Sequence, residues 1–237
     1  MKRLRFLCVC LLLLALGVEH GLADTADEVF ENFKAAYEKS QNFSADFEET
    51  TLRAGNKSVA KGRLMFSKPN LLRKEYVSPK NPEKLSQLIV LDGEYSWSYT
   101  PLLNQVNKMK WNRSHRKELL PGIGASLEDT QKNYDMRLVE DEVANAKGIY
   151  HIELIPKPHM VPKPEDGTPP AREVLEVWVE SKEWLPLQFG YRSESPEGET
   201  VSVIVAMTNI QRDQPMSPDT FKFNVPKGAE VIDLSSN

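Results

Sequence analysis

Short segments in which apolar and polar side chains alternate dominate this chain from residue 43 onward. Every second side chain is apolar in residues 43–47, 95–99, 175–179 and 201–205. This period places the apolar side chains of a strand on one face. Because about ten such runs are separated by Gly, Pro, Asn and Asp, the pattern predicts a large antiparallel sheet with one buried face. A sheet of that size curls or closes on itself, so we expect a strongly curved sheet or a barrel.

One amphipathic helix precedes the predicted strands. Residues 25–28 read Thr-Ala-Asp-Glu, a capping box that marks the start of a helix. Two later stretches interrupt the alternation: residues 113–133 contain a second short helical segment, and residues 156–170 hold six prolines, which predicts an exposed loop. The apolar residues of the first helix recur at helical spacing and are Val29, Phe30, Phe33, Ala36 and Tyr37.

The first 23 residues are predicted to be a cleaved secretory signal peptide. Lys2, Arg3 and Arg5 precede an apolar run over residues 6–18, and small residues supply a cleavage site after Ala23. A membrane anchor is the alternative, but the run is shorter than the roughly 20 residues that span a bilayer. The rest of the chain is therefore expected to be exported to the periplasm.

The two cysteines of the chain bear on both its export and its chemistry. A lipidated cysteine should follow the apolar run, whereas Cys8 and Cys10 lie inside it, so a lipoprotein signal is rejected. Both leave with the signal peptide, and the mature domain, residues 24–237, can form neither a disulfide nor a thiolate metal site. The net charge of −4 and the lack of a basic cluster argue against nucleic acid as a partner.

Known catalytic motifs are absent from the sequence. It contains no GxSxG, HExxH, Walker or GxGxxG pattern, and no ligand spacing links His115, His151 and His159. The Asp92-Gly93 pair, which lies between two apolar runs, predicts a hairpin turn rather than a catalytic carboxylate. The residues thus predict a binding protein without enzyme activity, metal or cofactor, and leave lipocalin-like carriers, sandwich adhesins and structural envelope proteins equally open.

Four segments carry a resemblance to one family. Residues 42–47 follow the opening helix, and residues 62–76 contain a Gly-x-Leu-x-Phe-x-Lys-Pro strand. Residues 88–99 join a Leu-Asp-Gly turn to a Trp-Ser-Tyr strand, and residues 221–231 read Phe-Lys-Phe-Asn-Val-Pro-Lys-Gly-Ala-Glu-Val. In this order, over roughly residues 25–233, the chain resembles the outer-membrane lipoprotein carrier family, LolA.

The resemblance implies a fold and a function. The fold is an unclosed antiparallel β-barrel, a half-barrel sheet with helices covering its concave face. The function is that of a soluble periplasmic carrier, expected to be monomeric, which holds the acyl chains of lipoproteins in an apolar cavity. Such a carrier receives acylated lipoproteins from an inner-membrane ABC-type release complex, delivers them to a receptor at the outer membrane, and uses no cofactor.

The resemblance also implies candidate site residues. In the family a basic residue before the proline, usually Arg, hydrogen-bonds the helical lid; here that residue is Lys68, which lacks the bidentate fork of arginine. A family aromatic is replaced by Lys74. The expected lipid-binding residues are Val29, Phe30, Phe33 and Tyr37 on the first helix, Leu119, Leu120 and Ile123 on a second lid segment, and Leu64, Phe66, Leu72, Tyr76, Trp97 and Tyr99 on the sheet wall.

Other interpretations are compatible with the same sequence. Each of these apolar residues could belong to an ordinary filled core, and an error of one residue in the register would move a strand's side chains to the opposite face. The same half-barrel could serve as an envelope sensor or scaffold that binds lipid or lipoprotein without transporting it. A hydrolase of cell-wall or lipid substrates is disfavoured because a recognisable nucleophile or metal set is missing.

Overall fold

The computed structural model describes residues 25–111, 127–161 and 167–235. Within these ranges it contains one long helix, two short helices, two 3₁₀ turns (Pro158–Met160 and Pro218–Phe221) and twelve strands. The helices are α1 (Ala26–Lys39), α2 (Leu127–Asn133) and α3 (Glu142–Asn145). The strands are β1 (Asn42–Arg53), β2 (Asn56–Ser67), β3 (Leu71–Ser78), β4 (Asn81–Asp92), β5 (Tyr95–Thr100), β6 (Gln105–Lys110), β7 (Tyr134–Val139), β8 (Ile149–Pro156), β9 (Arg172–Glu180), β10 (Pro186–Glu194), β11 (Thr200–Arg212) and β12 (Glu230–Asp233).

All twelve strands belong to one sheet in the order β12-β6-β5-β4-β3-β2-β1-β11-β10-β9-β8-β7. Two up-and-down meanders, β1–β6 and β7–β11, meet where β1 pairs with β11. Every pairing is antiparallel except the parallel pairing of β12 with β6. In the described part of the chain β12 and β7 are the two ends of the order and do not pair with each other, so the predicted unclosed, mainly β architecture is confirmed.

The register shows which side chains share the concave face. Directly paired residues of neighbouring strands point to the same side of a sheet. Leu72 on β3 pairs with Phe66 and with Leu91, and Phe189 on β10 pairs with Val205. All five belong to one buried cluster, here called the sheet cluster, although β4 and β10 are far apart in the strand order. The sheet therefore curves strongly enough to bring its two halves into contact.

Helix α1 covers the other part of the concave face. Its predicted capping box is present: the Thr25 hydroxyl accepts from the Glu28 N–H, and the Glu28 carboxylate accepts from the Thr25 N–H. Val29, Phe30 and Phe33 are buried against strands β8 and β9. These contacts form the helix cluster, whose buried members are Val29, Phe30, Phe33, Leu127, Ile152, Leu154, Leu175, Val177 and Val179.

The convex face is also partly covered. The 3₁₀ turn at Pro218–Phe221 contacts β3 and β4, and its Phe221 is buried. After the turn, Phe223 stacks on Trp97 of β5 with ring centroids 5.2 Å apart. The Asp92-Gly93 pair forms the turn between β4 and β5, as predicted, and Gly93 takes a φ of 102°. A positive φ of this kind is readily accessible to glycine.

The predicted proline-rich loop is shorter than the sequence suggests at its start. Pro156 is the last residue of β8, where it pairs with Tyr134 on the edge strand β7. The 3₁₀ turn follows at once. Proline is tolerated there because the pairing of β8 with β9 ends at Leu154, so its missing N–H removes few ladder hydrogen bonds. Residues 162–166 of that stretch lie outside the described residues.

Candidate functional site

A cavity of about 280 Å³ lies on the concave face of the sheet. Its walls come from β3–β6 on one side and from β1, β10 and β11 on the other. Most of the lining is apolar, and the polar side chains are concentrated on β1, β3, β4 and β5. The lining residues are Glu49, Leu72, Lys74, Tyr76, Gln87, Ile89, Leu91, Ser96, Met109, Trp111, Phe189, Gly190, Tyr191, Val203 and Val205.

Strand alternation explains how these residues converge. On β3, residues 72, 74 and 76 face the cavity, and each pairs with an alternate residue of β4: Leu91, Ile89 and Gln87 respectively. The intervening residues of both strands face the convex side. Since the side-chain period of a strand is two, each strand contributes lining residues only at every second position. The cavity is thus a property of the register rather than of any local motif.

A polar group lies within this apolar wall. The Lys74 ammonium donates to Glu49 Oε2 at 2.5 Å, and the Tyr76 hydroxyl donates to the same oxygen at 2.9 Å. The side chain of Lys74 is 8% exposed and that of Glu49 is 19% exposed. Lys74 Nζ also lies 4.8 Å from the centre of the Phe47 ring and 4.9 Å from that of Tyr76, within the range of cation–π attraction.

Gly62 allows this group to pack closely. It lies on β2 opposite both Phe47 and Tyr76, and a Cβ at this position would overlap the Glu75 carbonyl and the Phe47 ring. The Phe47 and Tyr76 rings meet edge to face across it, with centroids 5.1 Å apart. Because Gly62 has no side chain, the two aromatic rings can flank the Lys74 ammonium.

A ladder of aromatic rings connects α1 to the cavity wall. Phe33 contacts Tyr37 at a centroid distance of 6.2 Å, and Tyr37 stacks on Phe66 at 6.1 Å. Phe66 pairs with Leu72, which lines the cavity. Burial raises the pKa of Tyr37 above its usual range. The underside of α1 is therefore apolar from the helix cluster to the edge of the cavity.

The packing beneath α1 is not complete. A crevice of about 20 Å³ lies between the helix and strands β10 and β11, and its walls are almost wholly apolar. Phe33 and Tyr37 contribute one side, and Trp184, Met207 and Ile210 contribute the other. A space of this size is about that of a single water molecule. It marks the seam along which α1 rests on the sheet.

Lys68 fastens the end of α1. Its ammonium donates to the carbonyl oxygens of Tyr37 at 2.6 Å and Glu38 at 3.0 Å, and it lies 4.6 Å from the centre of the Tyr37 ring. Carbonyls in the last turn of a helix have no partner within the helix, and a cation there is favoured by the helix dipole. Burial lowers the pKa of Lys68, and the charges of Glu38 and Asp213 partly oppose that effect. The residue expected to act as a latch does contact the helix.

The structure brings most of the expected site residues to the concave face, but into different parts of it. Leu72 and Tyr76 line the cavity. Leu64 and Phe66 belong to the sheet cluster. Tyr37 contacts both clusters, and the other α1 candidates, Val29, Phe30 and Phe33, belong to the helix cluster. Leu119, Leu120 and Ile123 lie outside the described residues.

The placement of Trp97 and Tyr99 on the cavity wall is wrong. Trp97 pairs with Val90 and Tyr99 with Leu88, on the convex face, whereas Ser96 pairs with Leu91 and faces the cavity. Trp97 and Tyr99 are only partly buried, and the ring of Phe223 from the C-terminal segment packs on both. The alternation in β5 is as predicted, but its aromatic face lies on the convex side of the sheet.

Several cavity residues were not singled out from the sequence. Glu49, Met109 and Trp111 lie in or after strands where the alternation is weak. Ile89 and Leu91 fall in the unbroken apolar run 88–91, which has no polar face to reveal their direction. Their direction follows only from the pairing of β4 with β3, in which Ile89 lies opposite Lys74 and Leu91 lies opposite Leu72.

No helix in the described ranges is both long and apolar enough to cross a membrane. No three His, Cys, Asp or Glu side chains in them converge as metal ligands.

Comparison with known proteins shows the family. Residues 38–159 match the family model described as Outer membrane lipoprotein carrier protein LolA. The chain belongs to the LolA family. The matched residues begin at the last turn of α1 and end in the 3₁₀ turn after β8, so they include Lys68 and the β1–β6 half of the cavity wall.

Relatives of the LolA family extend the similarity to nearly the whole chain. An outer-membrane lipoprotein carrier protein of Methylobacillus flagellatus is 27% identical over 236 residues, covering 97% of this chain and 99% of the relative. One of Glaesserella parasuis is 26% identical over 216 residues, covering 90% of each. Among solved structures, an uncharacterized conserved protein from Thermus thermophilus aligns with a TM-score of 0.48 and 16% identity, over 88% of this chain and 98% of that one.

Proposed function

We propose that this LolA-family protein is a periplasmic carrier that holds the acyl chains of lipoproteins in its concave-face cavity while they cross between two membranes. The observation that carries the proposal is the cavity itself: a mostly apolar space on a curved sheet, adjoining a helix that rests on the sheet through apolar contacts. Membership of a family named for lipoprotein carriage supports the choice of cargo.

The physical need for such a container is large. Burying one methylene group is worth about 0.8 kcal/mol, so a chain of sixteen carbons is disfavoured in water by roughly 12 kcal/mol. A lipoprotein with several such chains cannot leave a bilayer unaided. An enclosed apolar surface lowers the cost of leaving, provided that it does not bind so tightly that release at the far membrane fails.

Loading requires α1 to move. The cavity of about 280 Å³ is slightly smaller than the range of about 300–1,000 Å³ typical of small-ligand pockets. Displacing α1 would join the cavity to the surface now covered by the helix cluster and by Tyr37. The apolar seam beneath the helix and the small number of Lys68 hydrogen bonds at its end are suited to such a motion.

The proposed partners follow from the route. We infer that an inner-membrane ABC-type complex releases the acylated lipoprotein to this protein, and that a receptor at the outer membrane takes it. The predicted signal peptide, residues 1–23, would deliver the chain to the compartment between these membranes. The role in this cycle is binding and transfer, without a cofactor of its own.

A charge placed in the cavity tests the proposal. Ile89→Glu would face the acyl chain with a carboxylate, while Leu52→Glu places the same charge on an exposed position of the convex face. Because burying an unpaired charge costs several kcal/mol, Ile89→Glu should reduce loading by the release complex in spheroplasts at least about tenfold. Leu52→Glu should load like the unmodified protein, and both should keep its circular dichroism spectrum.

Two outcomes would contradict the proposal. One is failure of the unmodified protein to acquire acylated lipoprotein in the spheroplast assay. The other is depletion that changes envelope gene expression while outer-membrane lipoproteins are still sorted correctly, which is expected of a sensor. A carrier instead predicts that outer-membrane lipoproteins accumulate at the inner membrane on depletion.

A further inference from the structure

The ion pair between Lys74 and Glu49 carries a desolvation penalty because it is largely buried. Both side chains line an otherwise largely apolar cavity, and Lys74 is 8% exposed. Replacing a buried ion pair by apolar residues is often neutral or stabilising, so such a pair is weak evidence for a stabilising role. An empty apolar cavity would be formed equally well by a leucine at position 74. The pair therefore calls for an explanation in terms of what enters the cavity.

The donors of Lys74 are only partly used. An ammonium group has three N–H donors and no acceptor. Among the described residues, one donor is directed at Glu49 Oε2, and the ammonium otherwise faces the rings of Phe47 and Tyr76. A ring face is a weaker partner than an oxygen atom. A ligand oxygen in the cavity could therefore accept a charge-assisted hydrogen bond that the protein does not itself satisfy.

The charges that line the cavity indicate whether a ligand oxygen bound by Lys74 is neutral or anionic. Lys74 and Glu49 are the charged residues lining the cavity in the described part of the chain, and their charges cancel. A carboxylate or phosphate placed beside them would leave one negative charge unpaired in apolar surroundings, which is expensive. A neutral carbonyl oxygen adds no charge and accepts from an ammonium that Glu49 holds in place. The geometry favours an uncharged acceptor.

The position of the Lys74–Glu49 pair on the concave face indicates which part of a ligand would carry the accepting oxygen. Lys74 is two residues, about 7 Å, along β3 from Leu72. Leu72 pairs with Phe66, which stacks on Tyr37 of α1. From Lys74 toward α1 the concave face is thus continuously apolar. A hydrocarbon tail directed under α1 would place the carbonyl at its head beside the ammonium.

We propose that the Lys74–Glu49 pair binds the ester carbonyl that joins an acyl chain to its glycerol, so that the cavity recognises ester-linked acyl chains and not merely hydrocarbon. This inference rests on the proposed carrier function and specifies its ligand chemistry. Lys74 donates to the carbonyl oxygen, Glu49 orients the ammonium and cancels its charge, and Tyr76 holds Glu49.

Ester and ether lipids of equal chain length provide the test, because they differ in this carbonyl. The first probe is a short peptide whose N-terminal cysteine carries a glycerol with two ester-linked hexadecanoyl chains; the second carries two ether-linked hexadecyl chains. Binding is measured by displacement of a fluorescent apolar probe. The unmodified protein should prefer the ester by about tenfold, equivalent to about 1.4 kcal/mol. Lys74→Met should bind both alike, mainly through loss of affinity for the ester.

Two further variants control for folding and for general charge effects. Lys74→Met leaves Glu49 without its cation, so the double variant Lys74→Met/Glu49→Gln removes both charges and should also lose the preference. Lys61→Met removes a lysine from an exposed ion pair with Glu48, at 2.9 Å on the convex face of β1 and β2, and should keep the preference.

The possible results separate the two proposals. Equal binding of ester and ether by the unmodified protein, or a preference retained by the double variant, would overturn the role of Lys74 and leave the carrier proposal intact. Failure to bind either lipopeptide would overturn the carrier proposal. The same comparison with ester and ether phosphatidylglycerol identifies the source of the ester: a preference seen there without lipopeptide binding would overturn a lipoprotein ligand in favour of a membrane lipid.

Discussion

At the scale of single residues, two lysines make distinct contacts on the concave face. Lys68 and Lys74 both differ from the residues that the family resemblance leads one to expect, and both place an ammonium beside aromatic rings. Lys68 bonds the end of α1, whereas Lys74 bonds Glu49 inside the cavity. The first therefore bears on how α1 is held over the concave face, and the second on the charge inside the cavity.

Lys68→Met should loosen α1 without unfolding the sheet. The variant loses the two hydrogen bonds to the Tyr37 and Glu38 carbonyls, and we expect a loss of about 1 kcal/mol because hydrogen bonds to a partly exposed charge are modest. Amide hydrogen exchange should accelerate in the last turn of α1 and remain unchanged in β9. Lys68→Arg should restore most of the protection. Equal exchange in Lys68→Met and the unmodified protein would show that Lys68 does not fasten the helix.

Edge strands set the limits of the sheet at the scale of elements. β12 is four residues long and pairs in parallel with β6, in contrast to the antiparallel ladders elsewhere in the sheet. Lys108 on β6 donates to Asp233 on β12 at 3.0 Å and lies 4.2 Å from the Tyr95 ring centre. A short, partly charged strand at an edge also discourages pairing with another chain. Because β12 is attached to β6 partly through the ion pair between Lys108 and Asp233, we expect this attachment to depend on pH.

The attachment of β12 should weaken in acid. Hydrogen bonds from the Ser235 side chain and backbone, and then from Lys108, lower the pKa of Asp233 from 3.8 to about 2. Because the folded pKa lies below the unfolded value, the stabilisation is present above about pH 4 and is lost as the pH falls toward about 2. An NMR titration of the Asp233 carboxyl should show this midpoint. In Ser235→Ala it should move back toward 3.8; an unchanged midpoint there would contradict the assignment.

At the scale of the whole molecule, the sequence predicts the strands better than their faces. Alternation indicates correctly that residues 43–47 and 175–179 bury one side, since both lie on the concave face. In β5 the same rule finds the aromatic side, but that side is covered by Phe223, more than 120 residues later in the chain. A local pattern shows that a face is buried, whereas the identity of the covering segment is fixed by long-range packing.

The polar part of the cavity illustrates the same limit. Lys74 is recognisable in the sequence as a departure from the family pattern, but its partner Glu49 is 25 residues away and reaches it across β2. The contact depends on the register of β1 with β2 and of β2 with β3, and on the bare backbone at Gly62. None of these is encoded by a local motif. The sequence could therefore predict the LolA-family fold but not the polar site within it.

Cross-linking from inside the cavity tests the central claim most directly. A photoreactive amino acid at Met109 faces the cavity, while one at Leu52 faces solvent on the convex side. Irradiation in cells that make an acylated lipoprotein and its unacylated Cys→Ser form should cross-link the acylated form to position 109 and neither form to position 52. Cross-links to the unacylated form, or equal cross-linking from both positions, would contradict an acyl-binding cavity.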